Sequence, residues 1–234
     1  GSSFDFTVSA WVDGYTDATQ AVGPLSGNTV QNFALAANPS SCTTPGYTTS
    51  SSTLYSQNFD TTTFPPTGWA RFRGTNGLGT VRDWIRTTTT YSGAGAAFVR
   101  YENVSGGLAQ DWLVSPQLNL TAAAASLQFY MRQDFSVDYG TSYSIRVSTG
   151  SQTNHADFTT VQTYNEASFS TSYLPFSVDL STYVGQNIYV AFVMEQDDGD
   201  SWYVDEVSVL GQSCTPPSGG LVVGNVYNAN MTAG

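Results

Sequence analysis

Three carboxylates lie within four consecutive residues, and they are the densest cluster of reactive side chains in the chain. The segment is Asp197-Asp198-Gly199-Asp200, in which three like charges repel each other unless water or a cation screens them. Carboxylate oxygens are the ligands that Ca²⁺ prefers. The spacing and the missing glutamate do not match an EF-hand loop. The cluster therefore predicts either a solvated turn or a calcium site that includes Asp198 and Asp200.

Few residues are available for covalent or acid–base catalysis. Glu195 lies near Asp197 and Asp198 in the sequence, but two carboxylates make a glycosidase only where they flank a cleft. The single histidine, His155, lies in a polar run and is predicted to be an exposed loop residue. No Gly-x-Ser-x-Gly sequence is present to carry a serine nucleophile. We therefore predict a protein that is not an enzyme.

The overall composition narrows the choice of partners. The 234 residues include 18 acidic residues and seven basic ones, all of them arginines, and the net charge is −11. This charge argues against nucleic acid and against an anionic membrane surface, since both attract basic proteins. No apolar run is long enough to insert into a membrane. Aromatic residues make up 14% of the chain, and Ser, Thr, Asn, Gln and Gly must supply most of its surface. This composition is typical of an extracellular protein.

Cys42 and Cys214 are the only cysteines, and their pairing has two interpretations. A disulfide would close a loop of about 170 residues and would contribute ~4–5 kcal/mol to stability in the chain-entropy model. The flanks Ser41-Cys42-Thr43 and Ser213-Cys214-Thr215 are also similar to each other, which is typical of linkers in a tandem array. We predict the disulfide and keep two unpaired linker cysteines as the alternative.

Short strand patterns must position all of these residues. Residues 4–12 alternate between apolar and polar types, and 18–22 and 29–36 indicate two more strands. Pro, Ser, Thr and Gly over 39–53 predict a linker. From residue 54 to 210, strand patterns recur about every 10–15 residues, with a turn near Ser181 to Val184 and no convincing helix. The fold class predicted is all-β: a jelly-roll β-sandwich over 54–212, then a linker at 213–220 and a lone C-terminal strand.

Six ordered blocks within this stretch resemble the choice-of-anchor J domain, a relative of the cleaved-adhesin and MAM jelly rolls. The blocks are Asn58 to Asp60, Phe64 to Trp69, Asp111 to Pro116, Ser144 to Gly150, Val178 to Gln186 and Trp202 to Val207. The resemblance implies a jelly roll with four tryptophans in its core: Trp69, Trp84, Trp112 and Trp202. It implies an accessory module of secreted bacterial proteases and surface adhesins, and it does not specify an activity.

The resemblance also implies a structural calcium ion. In related jelly rolls the first and last blocks meet around one, which makes Asp60 and Asp205 the leading metal ligands here, with Asn58 and Glu206 as helpers. Six to eight oxygens of this type suit Ca²⁺. The alternative is that each carboxylate accepts hydrogen bonds from backbone amides at a strand end.

The flanking segments resemble carboxypeptidase regulatory-like domains, which are immunoglobulin-like. Residues 1–38 resemble the later strands of one such domain, and 221–234 resemble the opening strand of another. This arrangement implies a longer modular protein. The C-terminal strand could add to the half-domain of a neighbouring copy and build a filament, through Leu221, Val222, Val223 and Val226. Unbroken covalent connection between repeats is one alternative, and a fragment with arbitrary boundaries is another.

These features together predict a non-catalytic extracellular module of a bacterial adhesin, surface fibre or secreted protease. Its expected partners are neighbouring copies or domains and a surface glycan or protein, with Ca²⁺ as a structural cofactor. The alternative is a carbohydrate-binding module, in which exposed aromatic rings stack on sugars. The candidate stacking residues are Tyr139, Tyr143 and Tyr173.

Overall fold

A computed structural model describes residues 6–10, 18–22, 32–33, 35 and 48–215. The chain divides into two compact units, one of residues 1–50 with 212–234 and one of residues 51–211. The described part contains fourteen strands and three single 3₁₀ turns but no α-helix. The strands are β1 Phe6–Ala10, β2 Ala18–Val22, β3 Thr48–Gln57, β4 Ala70–Arg73, β5 Ile85–Thr87, β6 Ala96–Val99, β7 Ala109–Val114, β8 Leu118–Asn119, β9 Ala124–Arg132, β10 Ser142–Ser148, β11 Phe158–Asn165, β12 Leu174–Asp179, β13 Asn187–Gln196 and β14 Trp202–Thr215.

The smaller unit contains an antiparallel pair of strands. Strands β1 and β2 pair with Phe6 opposite Val22 and Ala10 opposite Ala18. The third strand expected over 29–36 is described only at residues 32, 33 and 35, and none of these three lies in a strand. The rest of the expected immunoglobulin-like segment lies outside the described residues, as does the assembly strand of Leu221, Val222, Val223 and Val226.

The larger unit is a two-sheet sandwich, which confirms the predicted all-β jelly roll. The first sheet has the order β11-β10-β13-β7-β4, with β8 also paired to β13. The second has the order β12-β9-β14-β6-β5, with β3 also paired to β14. Strand β3 starts at Thr48 and β14 ends at Thr215, so both expected linkers, 39–53 and 213–220, overlap strands. Among the residues described, no helix is long and apolar enough to cross a membrane.

The main core lies between the two sheets and follows from period-two alternation. On β13, Ile188, Val190, Phe192 and Met194 face the opposite sheet and are buried. Trp202 of β14 lies among them, with ring centroids 5.1 Å from Tyr143, 5.4 Å from Trp84 and 5.9 Å from Phe192. Close packing of such large rings fixes the two sheets against each other. The strands that carry the side chains of the outer faces therefore have fixed positions.

Candidate functional site

Asp60 and Asp205, the leading predicted metal ligands, both hold the loop of residues 90–95. Asp205 is fully buried and accepts hydrogen bonds from the N–H groups of Tyr91 at 2.8 Å and Ser92 at 3.2 Å. Asp60 accepts hydrogen bonds from two N–H groups at the other end of the same loop. Loss of solvation on burial raises the pKa of Asp205, against the opposing effect of its backbone donors. The structure thus brings both carboxylates to one loop as anchors of its backbone.

Other groups around this loop are also engaged. Asn58 donates to the Asp60 carboxylate at 2.8 Å and accepts from the Asp60 N–H at 3.2 Å. The Arg86 guanidinium donates to the carbonyl oxygens of Phe59, Asp60 and Ala94 at 2.6–3.0 Å. In the described part of the chain, no group of three or more His, Cys, Asp or Glu side chains is placed to hold a metal ion. The carboxylates of Asp60 and Asp205 are of the type that suits calcium, and in this structure they accept hydrogen bonds from backbone N–H groups and from the Asn58 amide.

The acidic segment Asp197–Asp200 does not act as a single cluster. Asp198 is exposed, whereas Asp200 is fully buried and accepts N–H donors from Asp134 at 3.0 Å, Phe135 at 2.9 Å and Ser201 at 2.6 Å. Asp197 accepts a hydrogen bond from the N–H of Val104 at 2.9 Å. Asp198 therefore faces solvent while Asp200 is buried, and the Asp200 carboxylate holds the backbone at residues 134 and 135.

A second buried carboxylate completes this support. Glu166 is 2% exposed and accepts N–H donors from Tyr139 at 2.6 Å and Thr141 at 2.8 Å. Together with Asp200, it fixes residues 134–141 at both ends; we call this segment the anchored loop. Nothing in the local sequence marked Glu166, because its partners lie more than 20 residues away.

The anchored loop presents apolar side chains to solvent. Phe135 is 40% exposed, Val137 57% and Tyr139 50%. The Phe135 ring makes edge contacts with Tyr139 and with Tyr101, each at a centroid distance of 5.8 Å. Asp200 and Glu166 thus support a loop that exposes several large apolar side chains to water. Such exposure is unfavourable in water, and contiguous exposed apolar patches are typical of binding surfaces.

A second group of rings lies on the outer face of the second sheet. Tyr130 projects outward from β9, since its neighbours Phe129 and Met131 lie in the core. Tyr91, 46% exposed, stacks on Tyr130 with ring centroids 3.6 Å apart and meets the edge of Tyr173 at 6.1 Å. The Tyr173 hydroxyl donates to the carbonyl of residue 89 at 2.8 Å, which fixes its ring.

Arg132 and Tyr203 join the two groups into one surface. Arg132 follows Tyr130 by two positions on the same face of β9, and its guanidinium lies 4.7 Å from the centre of the Tyr203 ring. The Tyr203 hydroxyl donates to Asp134 at 2.9 Å, and the ring contacts Phe98 at 4.5 Å. We call the whole set the aromatic strip: Tyr91, Phe98, Tyr101, Tyr130, Phe135, Tyr139, Tyr173 and Tyr203.

Two of the three tyrosines suggested as stacking residues belong to the aromatic strip. Tyr139 is exposed and Tyr173 is partly exposed. Tyr143 was a wrong candidate: it is fully buried between the sheets, where loss of solvation raises its pKa. It alternates in β10 with polar residues and shares the face of Ile145 and Val147, so strand periodicity could have predicted its burial.

Trp112 and His155 also differ from expectation. Trp112 is buried as predicted, at 2% exposure, but it lies on the outer face of the first sheet rather than in the main core. His155 is not a freely exposed loop residue. Its ring packs at 4.8 Å from Trp112 and 4.9 Å from Phe72, and its Nε2 is 2.8 Å from the Arg73 carbonyl. The loop that carries His155 therefore covers this part of the sheet.

The carboxylates considered for catalysis do not converge. Glu195 forms an ion pair with Arg146 at 2.5 Å on the first sheet. Asp197 instead binds a backbone amide, as described above, and Asp198 is exposed. Neither arrangement provides the pair of carboxylates across a cleft that glycoside hydrolysis requires.

Cys214 lies near the end of β14 and is disulfide-bonded. Cys42 lies outside the described residues. The pairing of Cys42 with Cys214 stays a prediction from the sequence.

Comparison with known proteins identifies the fold. No protein-family model and no curated protein matches the chain. The K1 cleaved adhesin domain of Lys-gingipain from Porphyromonas gingivalis W83 is 18% identical and superposes with a TM-score of 0.51, over 69% of this chain and 97% of that one. The K2 cleaved adhesin domain of Lys-gingipain is 17% identical and superposes with a TM-score of 0.50, over 66% of this chain and 98% of that one. TmCBM61, solved in complex with β-1,4-galactotriose, is 13% identical, with a TM-score of 0.44 over 65% of this chain and 92% of that one.

The larger unit thus has the jelly-roll fold of cleaved adhesin domains. The narrower resemblance to the choice-of-anchor J domain is not confirmed by these comparisons. Sequence identities below 20% show a shared fold, and a shared fold does not by itself show a shared ligand.

Proposed function

We propose that this chain is a non-catalytic binding module of an extracellular adhesive protein, and that the aromatic strip is its glycan-binding surface. The observation that carries the proposal is the strip itself, in which Tyr91, Phe135 and Tyr139 are 40–50% exposed and the other five rings pack beside or beneath them, with Arg132 and Asp134 among them. Sugar rings stack their C–H faces on aromatic side chains, while their hydroxyls bind planar polar groups. The aromatic strip supplies both kinds of contact.

The support beneath the strip strengthens this proposal. Asp200 and Glu166 hold the anchored loop, and the Tyr173 hydroxyl is bonded to backbone. A surface whose rings are already held in place loses less conformational freedom when it binds a ligand. Exposed aromatic rings with such support are better suited to recognition than to packing within the same domain.

The adhesive and extracellular parts of the proposal rest on the fold and the composition. The fold is that of the cleaved adhesin domains of Lys-gingipain, and the chain lacks lysine and is rich in Ser and Thr. An accessory role beside a secreted protease remains the alternative. Assembly into a filament through the strand of residues 221–227 stays a prediction, since that strand lies outside the described residues.

Removing rings from the aromatic strip should abolish glycan binding without unfolding the domain. Tyr91→Ala and Tyr139→Ala each delete a ring that is about half exposed. Each should weaken binding at least tenfold, about 1.4 kcal/mol, as loss of a central aromatic contact does. A glycan array would identify a ligand, and isothermal titration calorimetry would measure its affinity.

Tyr189→Ala is the matched control for these variants. It removes a partly buried aromatic ring from the outer face of the first sheet, away from the strip. It should bind the ligand as the wild type does. An array without a single bound glycan, or strip variants that bind like the wild type, would show that the proposed function is wrong.

Calcium binding at Asp60 and Asp205 is a separate proposal that rests on the resemblance. An ion that binds only the folded protein adds about 2.7 kcal/mol of stability at 100 times its dissociation constant. The melting temperature of the wild type should therefore rise in Ca²⁺ and fall in a chelator. Asp60→Asn, which keeps an acceptor for the loop amides, should lose this response. Identical melting curves of the wild type in Ca²⁺ and in chelator would contradict the proposal.

A further inference from the structure

We propose that the ligand of the aromatic strip is an acidic glycan, and that Arg82 and Arg100 bind its carboxylate or sulfate groups. The inference rests on the proposed glycan-binding function and adds the ligand class to it. It comes from the arginines, because they are the only strongly basic side chains in the sequence and all seven lie in the described residues.

Five of the seven guanidinium groups are engaged by acceptors of the protein itself. The engaged arginines and their acceptors are Arg71 with Asp83 and the Trp84 carbonyl, Arg73 with the Arg82 carbonyl, Arg86 with three carbonyls, Arg132 with Asp134, and Arg146 with Glu195. Within the described residues, the Arg82 guanidinium has no hydrogen-bond or ion-pair partner. Arg100 contacts only Tyr101: its guanidinium lies 3.5 Å from the hydroxyl and 5.1 Å from the ring centre, and no acidic side chain pairs with it in the described residues.

The two arginines without an acidic partner line one pocket. Arg82 and Arg100 line a pocket of about 260 Å³ together with Val81, Tyr101, Glu102 and Asn103. A second pocket, of about 330 Å³, is lined by uncharged residues. Tyr101 belongs both to the charged pocket and to the aromatic strip, where it contacts Phe135. A glycan stacked on the strip would therefore reach the two arginines.

The pocket holds the backbone of Arg82 firmly while its side chain stays unengaged. Glu102, 8% exposed, accepts the N–H groups of Val81 at 3.0 Å and Arg82 at 3.2 Å. The Arg73 guanidinium donates twice to the Arg82 carbonyl, at 3.0 and 3.1 Å. The Glu102 carboxylate accepts from two backbone donors and keeps its negative charge, and the nearby Asp134 is paired with Arg132 and Tyr203. The residues that line the pocket therefore carry two positive charges against one negative charge.

The chain has far more acidic side chains than basic ones. With 18 acidic side chains and seven basic ones, carboxylates are abundant enough to pair with every arginine. Two guanidinium groups that remain unpaired beside the same pocket are therefore available to an external anion. Arginine binds carboxylate and sulfate oxygens through short charge-assisted hydrogen bonds. At physiological salt the Debye length is about 8 Å, so negative charges farther from the two arginines than this are largely screened. They therefore oppose the binding of an anion at Arg82 and Arg100 only weakly.

The test compares acidic polymers with their neutral counterparts. The probes are polygalacturonate against its methyl ester for carboxylates, and dextran sulfate against dextran for sulfates. We expect the wild-type chain to bind at least one acidic polymer tenfold or more tightly than its neutral counterpart, with affinity falling as salt increases. Whichever acidic polymer shows this preference identifies the anionic group. Arg82→Gln/Arg100→Gln should bind the acidic and neutral forms alike.

A charge-matched variant controls for net charge. Thr159→Glu/Gln162→Glu lowers the net charge by the same two units, at exposed positions on β11 at the edge of the first sheet. The ratio of its affinities for the acidic and neutral polymers should stay within twofold of the wild-type ratio. If both double variants lose the preference for the acidic polymer equally, net charge alone explains it and the inference is overturned. A wild type that binds neither acidic polymer would also overturn the inference.

The same measurements separate this inference from the proposed function. If Tyr91→Ala weakens binding of a neutral glycan while no acidic preference exists, the strip is a glycan site and the inference about Arg82 and Arg100 is wrong. If Tyr91→Ala and the arginine variant both bind every glycan as the wild type does, the strip itself is not the site.

Discussion

Replacing Asp111 with asparagine should stabilise the protein at neutral and alkaline pH. Asp111 is fully buried, and neither of its carboxylate oxygens has a hydrogen-bond partner in the described residues. Loss of solvation, followed by repulsion from Asp83 and Glu102, raises its pKa to about 8. Asparagine has a similar shape but cannot ionise, so it removes the cost of protonating the carboxylate on folding near neutral pH and of burying its charge at higher pH.

The effect should depend on pH in a defined direction. The folded-state pKa of Asp111 lies above its unfolded value of about 3.9, so folding favours the protonated carboxyl group. This contribution to stability is complete below pH ~4 and is lost as the pH rises to about 8. Across this range, the stability advantage of Asp111→Asn should grow by up to about 1.4 kcal/mol per pH unit, to a few kcal/mol in total.

Urea unfolding followed by tryptophan fluorescence at pH 5, 7 and 9 would measure this difference. Asp198→Asn is a useful control for the loss of a negative charge alone, because Asp198 is exposed and is not among the groups that raise the pKa of Asp111. This variant should show a much smaller dependence on pH. Unfolding free energies of Asp111→Asn and wild type that differ by the same amount at all three pH values would contradict the prediction.

Asp200→Ala should strongly reduce both the stability of the protein and its binding of ligand. It leaves three backbone N–H groups near the anchored loop without their acceptor, those of Asp134, Phe135 and Ser201. A buried donor without a partner costs about 1–3 kcal/mol, so a loss of about 3–5 kcal/mol of stability is expected. The anchored loop should also lose its fixed position, which would weaken ligand binding through Phe135 and Tyr139.

Asp198→Asn is the matched control for this substitution. Asp198 is exposed and has a φ of 50°, a conformation that asparagine tolerates. It should change stability by less than about 0.5 kcal/mol. Thermal unfolding and proteolysis of the anchored loop would report the two effects separately. A protease-resistant loop in Asp200→Ala would show that Asp200 does not hold it.

Several features of this protein could be read from local sequence. Alternation of apolar and polar residues predicted β10 at Ser142–Ser148 with the bounds that the structure has, and it located most of β9 and β13. The same patterns, together with the ordered blocks, identified an all-β jelly roll. They also placed Trp69, Trp84 and Trp202 in its core. Strand periodicity acts over a few residues, and a single sequence contains it in full.

The candidate site depends on contacts that local patterns do not contain. Asp200 binds amides 65 and 66 residues away, and Asp205 binds amides 113 and 114 residues away. Tyr91 and Tyr173 meet although 82 positions separate them in the sequence. The order of strands within the sheets decides such meetings, and that order is set by packing of the whole sandwich.

What the sequence by itself determined is therefore the fold class, most of the core and the absence of lysine, which makes every strongly basic side chain an arginine. Tertiary structure decided which face of β7 meets the main core, as the position of Trp112 on the outer face shows. It also decided which arginines remain unpaired: nothing in the sequence separates Arg82 and Arg100 from Arg71 or Arg146. Alternation defines two faces of a strand but not the partner that each face meets, and that partner is fixed only when the sheets pack.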